Sequence, residues 1–321
     1  MDELIGVISG GGSLAGAVTA PEKVTVQANK TITPTDSQQV VGPDTGYDAM
    51  AQVTVEAASG GEDTLNTLFN TPAGATPTPF TMSDDNENHT CYGFTNGLAI
   101  TLGAGIEAFV SYAFKDDKSV KSIAGQDIET IGDECFSSSV VQSVSFQKCT
   151  AIGNRAFKYC DNLSSINFPL CQTVGEDAFD SCFRITAIDL PACATIGRGA
   201  FGGTNYTSIN LPVCTTIGEG ALRDFKGQVL RLPSVQTIGR EQFRYCENMT
   251  DLYLGYDGVV TVTREMEWDD WNMFPRRGPM TINVHVPAGQ LASYQADTTW
   301  TAIVTASAQD NVTVTFVGDY A

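Results

Sequence analysis

The sequence is short of positive charge. Its 321 residues hold 18 lysines and arginines against 37 aspartates and glutamates, a formal net charge of −19. Phosphate backbones need a basic footprint, so no nucleic-acid partner is expected. The acidity instead serves solubility and self-repulsion. Histidine is scarcer still, with only His89 and His285, far apart in the chain. No Ser/His/Asp or Cys/His arrangement is supported, and no P-loop or dinucleotide fingerprint is present. The expectation is a non-enzyme without cofactors and with no catalytic residues. No apolar run approaches the ~20 residues that would cross a bilayer, so no membrane insertion is expected. The start, Met1-Asp2-Glu3-Leu4-Ile5-Gly6, has no basic region, and its apolar content breaks into Ser9 and Gly10 to Gly12. That pattern predicts no signal peptide and a cytoplasmically made protein. The nine cysteines are odd in number and contain no Cys-x-x-Cys pair. Reduced thiols are expected rather than a disulfide scaffold or a metal site.

What the sequence has is a repeat. An Ile/Val-Gly pair recurs at Ile131-Gly132, Ile152-Gly153, Val174-Gly175, Ile196-Gly197, Ile217-Gly218 and Ile238-Gly239, at spacings of 21 or 22 residues. Four residues after the glycine comes Phe136, Phe157, Phe179, Phe201 or Phe243, with Leu222 in one copy. A small residue precedes most of them: Cys135, Ala156, Ala178, Ala200 and Ala221. Each copy then enters a strand-like stretch whose apolar residues sit two apart: Val144/Phe146, Ile166/Phe168, Ile188/Leu190, Ile209/Leu211, Leu230/Leu232 and Leu252/Leu254. Residues two apart share one face of a strand. Pro169, Pro191, Pro212 and Pro233 end four of these strands, because proline cannot donate the next ladder bond. One copy cannot bury its own apolar face, whereas stacked copies form a continuous core with parallel strands ~4.8 Å apart. Cys149, Cys171, Cys193 and Cys214 share one phase and Cys160, Cys182 and Cys246 another, as core ladders would. The glycine of each pair is expected to relieve a tight corner.

The pattern Ile-Gly-x-x-Ala-Phe, x-x-Cys-x-x-Leu, x-x-Ile-x-Leu-Pro resembles the BspA-type leucine-rich repeat over about residues 104–255, most fully from Ile152 through Cys160, Leu163, Ile166, Phe168 and Pro169. Gly105, Ala108 and Phe109 read as a degenerate first copy. The stretch Ile282 to Ala288, followed by Leu291, Tyr294 and Trp300, is similar to the strand and short helix that close such repeats, and 311–317 reads as a last strand. The resemblance implies a mainly β, right-handed leucine-rich-repeat solenoid with parallel strands and short helices. A small β domain precedes it and a C-terminal cap closes it. It also implies adhesion or recognition, since the family occurs in bacterial surface proteins, some protist proteins and phage and prophage products. Lys30 to Pro34, Gln39 to Val41, Gly46 to Asp48 and Val53 to Val55 resemble a short module of phage and prophage structural proteins, often tail-associated.

These readings give an arm at 1–21, a β attachment module at 22–57, a linker at 58–80, the solenoid at 81–258 and the cap at 259–321. The outward residues of the strands, Asn167, Asp189, Asn210, Arg231 and Tyr253, form a polar strip suited to a host-surface glycan or protein. The solvated sheet face is the plain alternative. Trp268 and Trp271, among carboxylates, are candidate glycan-facing aromatics or cover for the last repeat. Asp84 to Asn88 is a solvated acidic turn or a calcium site, without EF-hand spacing. The function expected is a phage virion protein, a tail fibre, receptor-binding or capsid-surface component. It would attach to other virion proteins through 1–57 and be made in the host cytoplasm. The alternative is a bacterial cell-surface leucine-rich-repeat adhesin. A homo-oligomer is left open, since no heptads impose one.

Overall fold

The computed structural model describes residues 98–102, 108–109, 111–117, 120–263, 273–275 and 279–320, and the backbone of five strands before residue 56. The architecture is a mainly β, parallel solenoid of about seven turns with few, short helices. The chain divides into two compact units, Met1–Phe168 and Pro169–Ala321. The expected arm at 1–21 (apart from Glu3–Leu4), the linker at 58–80, the acidic turn at Asp84 to Asn88, His89, Trp268 and Trp271 lie outside the described residues.

In the first unit, strands β1 (Ser143–Phe146) and β2 (Ser165–Asn167) continue a parallel sheet that runs back through 120–125, 98–102, 51–55 and 30–32. The registers Ser143↔Ser165 and Val144↔Ile166 are those the repeat period demands. Ala51–Val55 pairs in parallel with Leu98–Leu102, so part of the 22–57 region joins this sheet, while Glu22–Gln27 pairs with Gln38–Val41 elsewhere. A second parallel ladder runs through Ala108–Phe109, Thr130–Ile131 and Ala151–Ile152.

That ladder corrects the reading of the first copy. Phe109 aligns with Ile131, not with a phenylalanine. It is Phe114 that stacks on Phe136, at 4.9 Å and 3° between ring planes, and Phe136 stacks on Phe157 at 5.0 Å. The motif contains two Ala-Phe pairs, Ala108-Phe109 and Ala113-Phe114, and the second is the one in phase. Backbone conformation agrees. Each turn places two residues at positive φ, two after the glycine position and two after the phenylalanine, as at Glu134 and Ser138 or Arg155 and Tyr159. Tyr112 and Asp116 fall in the same places relative to Phe114.

The second unit repeats the plan. Short strands at 173–174, 195–196, 216–217, 237–239 and 261–263 form one parallel ladder. Strands β3 (Ala187–Asp189) and β4 (Ser208–Asn210) pair in parallel. β5 (Val229–Leu232), β6 (Asp251–Leu254), β7 (Met280–Pro287) and β8 (Val312–Tyr320) form a four-stranded parallel sheet. Two helices, α1 (Leu291–Ala296) and α2 (Thr298–Gln309), join β7 to β8. Asp297 caps α2 by accepting from the backbone N–H groups of Thr299 and Trp300, at 2.9 Å each.

The repeat glycines are there for closeness rather than for an unusual φ. A Cβ on Gly197 would lie 2.7 Å from the backbone of Glu176, and one on Gly218 would lie 2.6 Å from Arg198. A side chain at either would prise adjacent turns apart. Where Leu222 replaces the phenylalanine, Phe225 three residues later is fully buried and packs on Tyr206 at 5.3 Å. The aromatic volume is thus supplied from a neighbouring position.

Candidate ligand-binding face

The strand alternation sends the odd members of each stretch outward. In the first unit Asn167 is exposed, and its amide donates to the Ser145 hydroxyl at 3.0 Å, while Ser143 donates to Ser122 at 2.9 Å. In the second unit Asp189, Asn210 and Arg231 are exposed and Tyr253 is half-buried. The Asn210 amide donates to the Asp189 carboxylate at 2.8 Å. Short polar side chains stacked at strand spacing therefore hold one another in place, which lowers the entropy each would lose on binding.

The cap end of this face carries a network that sequence reasoning missed. The parallel registers put Arg231, Tyr253 and His285 side by side on β5, β6 and β7. The Arg231 guanidinium lies 3.8 Å over the Tyr253 ring, and the His285 ring stacks on the other side at 4.1 Å and 7°. His285 is buried, read from the sequence as a structural residue of an alternating strand. Its Nδ1 faces Asp319 at 2.7 Å and its Nε2 faces Asp251 at 2.9 Å. A neutral imidazole has one N–H, so only the imidazolium donates to both carboxylates. Burial pulls its pKa down, but the hydrogen bonds to Asp251 and Asp319 outweigh that and hold it above the ordinary value. Asp251 is held below its ordinary range, chiefly by His285 and then by the Thr250 hydroxyl. The Asn283 amide also donates to Asp251, at 3.1 Å. Both partners lie 34 residues from His285 in sequence, so no local motif signals them.

A second feature, also absent from the sequence reading, is a cleft of about 430 Å³ in the first unit, lined in part by Thr101, Gly125, Asp127, Ser145 and Gln147. Its one carboxylate, Asp127, is paired with Lys148 at 2.7 Å.

The turns on the glycine side are different in character. They carry charges that cancel between turns. Glu134 pairs with Lys115 at 2.6 Å, Arg198 pairs with Glu176, and Arg240 pairs with Glu219 at 3.0 Å. The cysteine phases are core. Cys149, Cys171, Cys193 and Cys214 are buried, and each thiol donates to the carbonyl two residues ahead, at 3.3 to 3.5 Å. Burial pushes the Cys193 thiol up to about 11 and the Cys149 and Cys214 thiols up to about 12, which keeps them protonated. Among the described residues no group of three or more His, Cys, Asp and Glu side chains converges as a metal site would. Among them, too, no helix is long and apolar enough to cross a membrane.

Comparison with known proteins bears on this face only through the fold. A leucine-rich repeat protein from Bacteroides ovatus is 11% identical, over 90% of this chain and 84% of its own, at a TM-score of 0.43. A leucine rich cell surface protein from Faecalibacterium prausnitzii is 13% identical, over 86% of this chain and 92% of its own, at a TM-score of 0.32. The pneumococcal vaccine antigen PcpA is 12% identical, over 94% of this chain and 90% of its own, at a TM-score of 0.36. No curated protein matches the chain. The model of the BspA type leucine rich repeat region matches in six copies, over residues 87–194 and 172–264, which together span more than half of the 321 residues. The chain belongs to the BspA-type leucine-rich repeat family.

Proposed function

We propose that this protein is a non-catalytic binding scaffold of a bacterial cell surface, an adhesin that holds a glycan or protein on the outward strand face of its second unit, at Asp189, Asn210, Arg231 and Tyr253. The observation that carries this reading is the organised polar ladder. Asn210 is bonded to Asp189, and Arg231 is stacked on Tyr253, all on the open side of the strands. The opposing turns neutralise their charges in pairs and leave little to offer a ligand. Family membership supports recognition over chemistry. Among the described residues, the buried thiols and a histidine already held by two carboxylates supply neither a nucleophile nor a base. The virion reading draws on the resemblance of segments between Lys30 and Val55, and the family match, which begins at residue 87, does not reach them. No observation favours it over the surface reading.

The test is surface labelling of intact bacteria that carry the gene, joined to adhesion of beads coated with the full-length protein. Label on the envelope, and bead adhesion reduced at least tenfold by Asn210→Ala with Tyr253→Ala, is the expected result. Label confined to phage particles would return the virion reading. Adhesion unchanged in the double variant would remove the strip as the binding surface.

A further inference from the structure

Two exposed arginines among the described residues, Arg184 and Arg231, have no carboxylate within 4 Å, and of these two Arg231 is the one set over an aromatic ring. Arg155, Arg198, Arg223, Arg240 and Arg244 each have a carboxylate within 4 Å. Among the described residues Arg231 has none, in a chain with 37 acidic residues to choose from. It is nevertheless held in place. Its guanidinium carbon sits 3.8 Å over the centre of the Tyr253 ring, Tyr253 is stacked on His285, and His285 is gripped by Asp251 and Asp319. Stacking uses the face of the guanidinium and leaves its edge free. That edge presents five N–H donors in a rigid fork that matches two oxygens of one anionic group. Four further residues, Tyr253, His285, Asp251 and Asp319, back the position of this one side chain.

Resting on the proposed adhesin reading, we infer that Arg231 is the anchor for a carboxylate of an acidic polysaccharide laid along the second unit's strand face. The neighbours on that face fit a hydroxyl-rich chain. Ser208 offers a hydroxyl and Asn210 keeps its amide oxygen as an acceptor after donating to Asp189. A peptide partner would want apolar pockets for anchoring side chains, and Val229 is the one exposed large apolar residue of these strands. The net charge of −19 does not forbid an acidic ligand. Exposed charges beyond about 8 Å are screened at physiological salt, whereas a bidentate contact to Arg231 is not. His285 supports the anchor electrostatically as well as sterically. As an imidazolium it offsets one of the two carboxylates beside it, and as a neutral ring it leaves that corner more negative.

The experiment uses the full-length protein against immobilised polygalacturonate, alginate and hyaluronan, each beside its carboxyl-reduced form, with poly-glutamate as the peptide control. Binding to at least one acidic polysaccharide is expected, weakened tenfold or more by carboxyl reduction. Arg231→Gln should lose a similar factor with an unchanged unfolding midpoint. Arg231→Lys should recover only part of it, because the charge returns without the fork. Equal affinity for acidic and reduced forms, full affinity in Arg231→Gln, or binding to none of the three polysaccharides each overturns the inference. Preference for poly-glutamate replaces the saccharide with an acidic peptide. Beads that still adhere to cells while no polysaccharide binds would leave the adhesin reading standing and this one overturned.

Discussion

The repeats between residues 173 and 254 and the closing segment 280–320 meet the same requirement in different ways. In the repeats one residue type does one job in every turn. Val174, Ile196, Ile217 and Ile238 all fill the glycine-side strand, and Phe179 stacks on Phe201 at 5.4 Å. In the closing segment each job is done once. Trp300 is buried, donates its indole N–H to the Val260 carbonyl at 2.9 Å, and packs against Tyr294 and Phe316. The Val260 N–H is answered in turn by the Tyr294 hydroxyl at 2.9 Å. A repeat spreads its stability over copies and can absorb a substitution, as Leu222 with Phe225 shows. A cap that ends the stack has no second copy to lean on.

The largest break in that comparison is expected from Trp300→Ala. It removes a fully buried ring and leaves the Val260 carbonyl without its indole donor, at a cost of about 3–5 kcal/mol, readable by denaturant titration. A similar loss on Phe201→Leu would show that repeats and cap are equally brittle.

A second contrast lies within the repeats. Glu219 and Arg240 are largely buried, with side chains 12% and 7% exposed, whereas the pair in the same phase, Glu176 and Arg198, is 35% and 43% exposed. Glu219→Ala should cost about 2 kcal/mol, because it takes a hydrogen-bonded carboxylate from the largely buried Arg240. Glu176→Ala should cost at most about 1 kcal/mol. Chemical denaturation of the two variants side by side decides whether burial or repeat phase sets the value.

Phe201→Leu, which shortens a stacked ring where Thr204 stands in the place that Phe225 takes beside Leu222, is expected to cost about 1–2 kcal/mol, less than Trp300→Ala. A loss as large as that of Trp300→Ala would mean that Phe225, and not tolerance of the site, rescues the Leu222 copy.

The smallest effect is a pH dependence confined to the cap. The folded pKa of His285 is raised, so its contribution is complete below its ordinary value of 6.5 and fades as pH rises through the folded value. That of Asp251 is lowered, so its contribution is present above its ordinary value of 3.8 and fades as pH falls through the folded value. The clasp should therefore be strongest between about pH 4 and 6.5. The stability gap between wild type and His285→Gln should be wider at pH 5.5 than at pH 9. A gap that does not change with pH would mean the ring acts by stacking on Tyr253 alone.

By itself the sequence determined the solenoid, its period, the strand residues that turn inward and outward, and the cysteines as core. Each of these follows from short-range alternation repeated at 21 or 22 residues, so every copy reports the same geometry. Tertiary structure decided what depends on which turns meet. It put Phe114 rather than Phe109 beneath Phe136, because only stacking distinguishes two Ala-Phe pairs five residues apart. It made the repeat glycines a matter of clearance between turns. It also brought Arg231, Tyr253, His285, Asp251 and Asp319 into one network, because parallel strands place residues from distant segments on one face and the intervening chain carries no trace of that meeting.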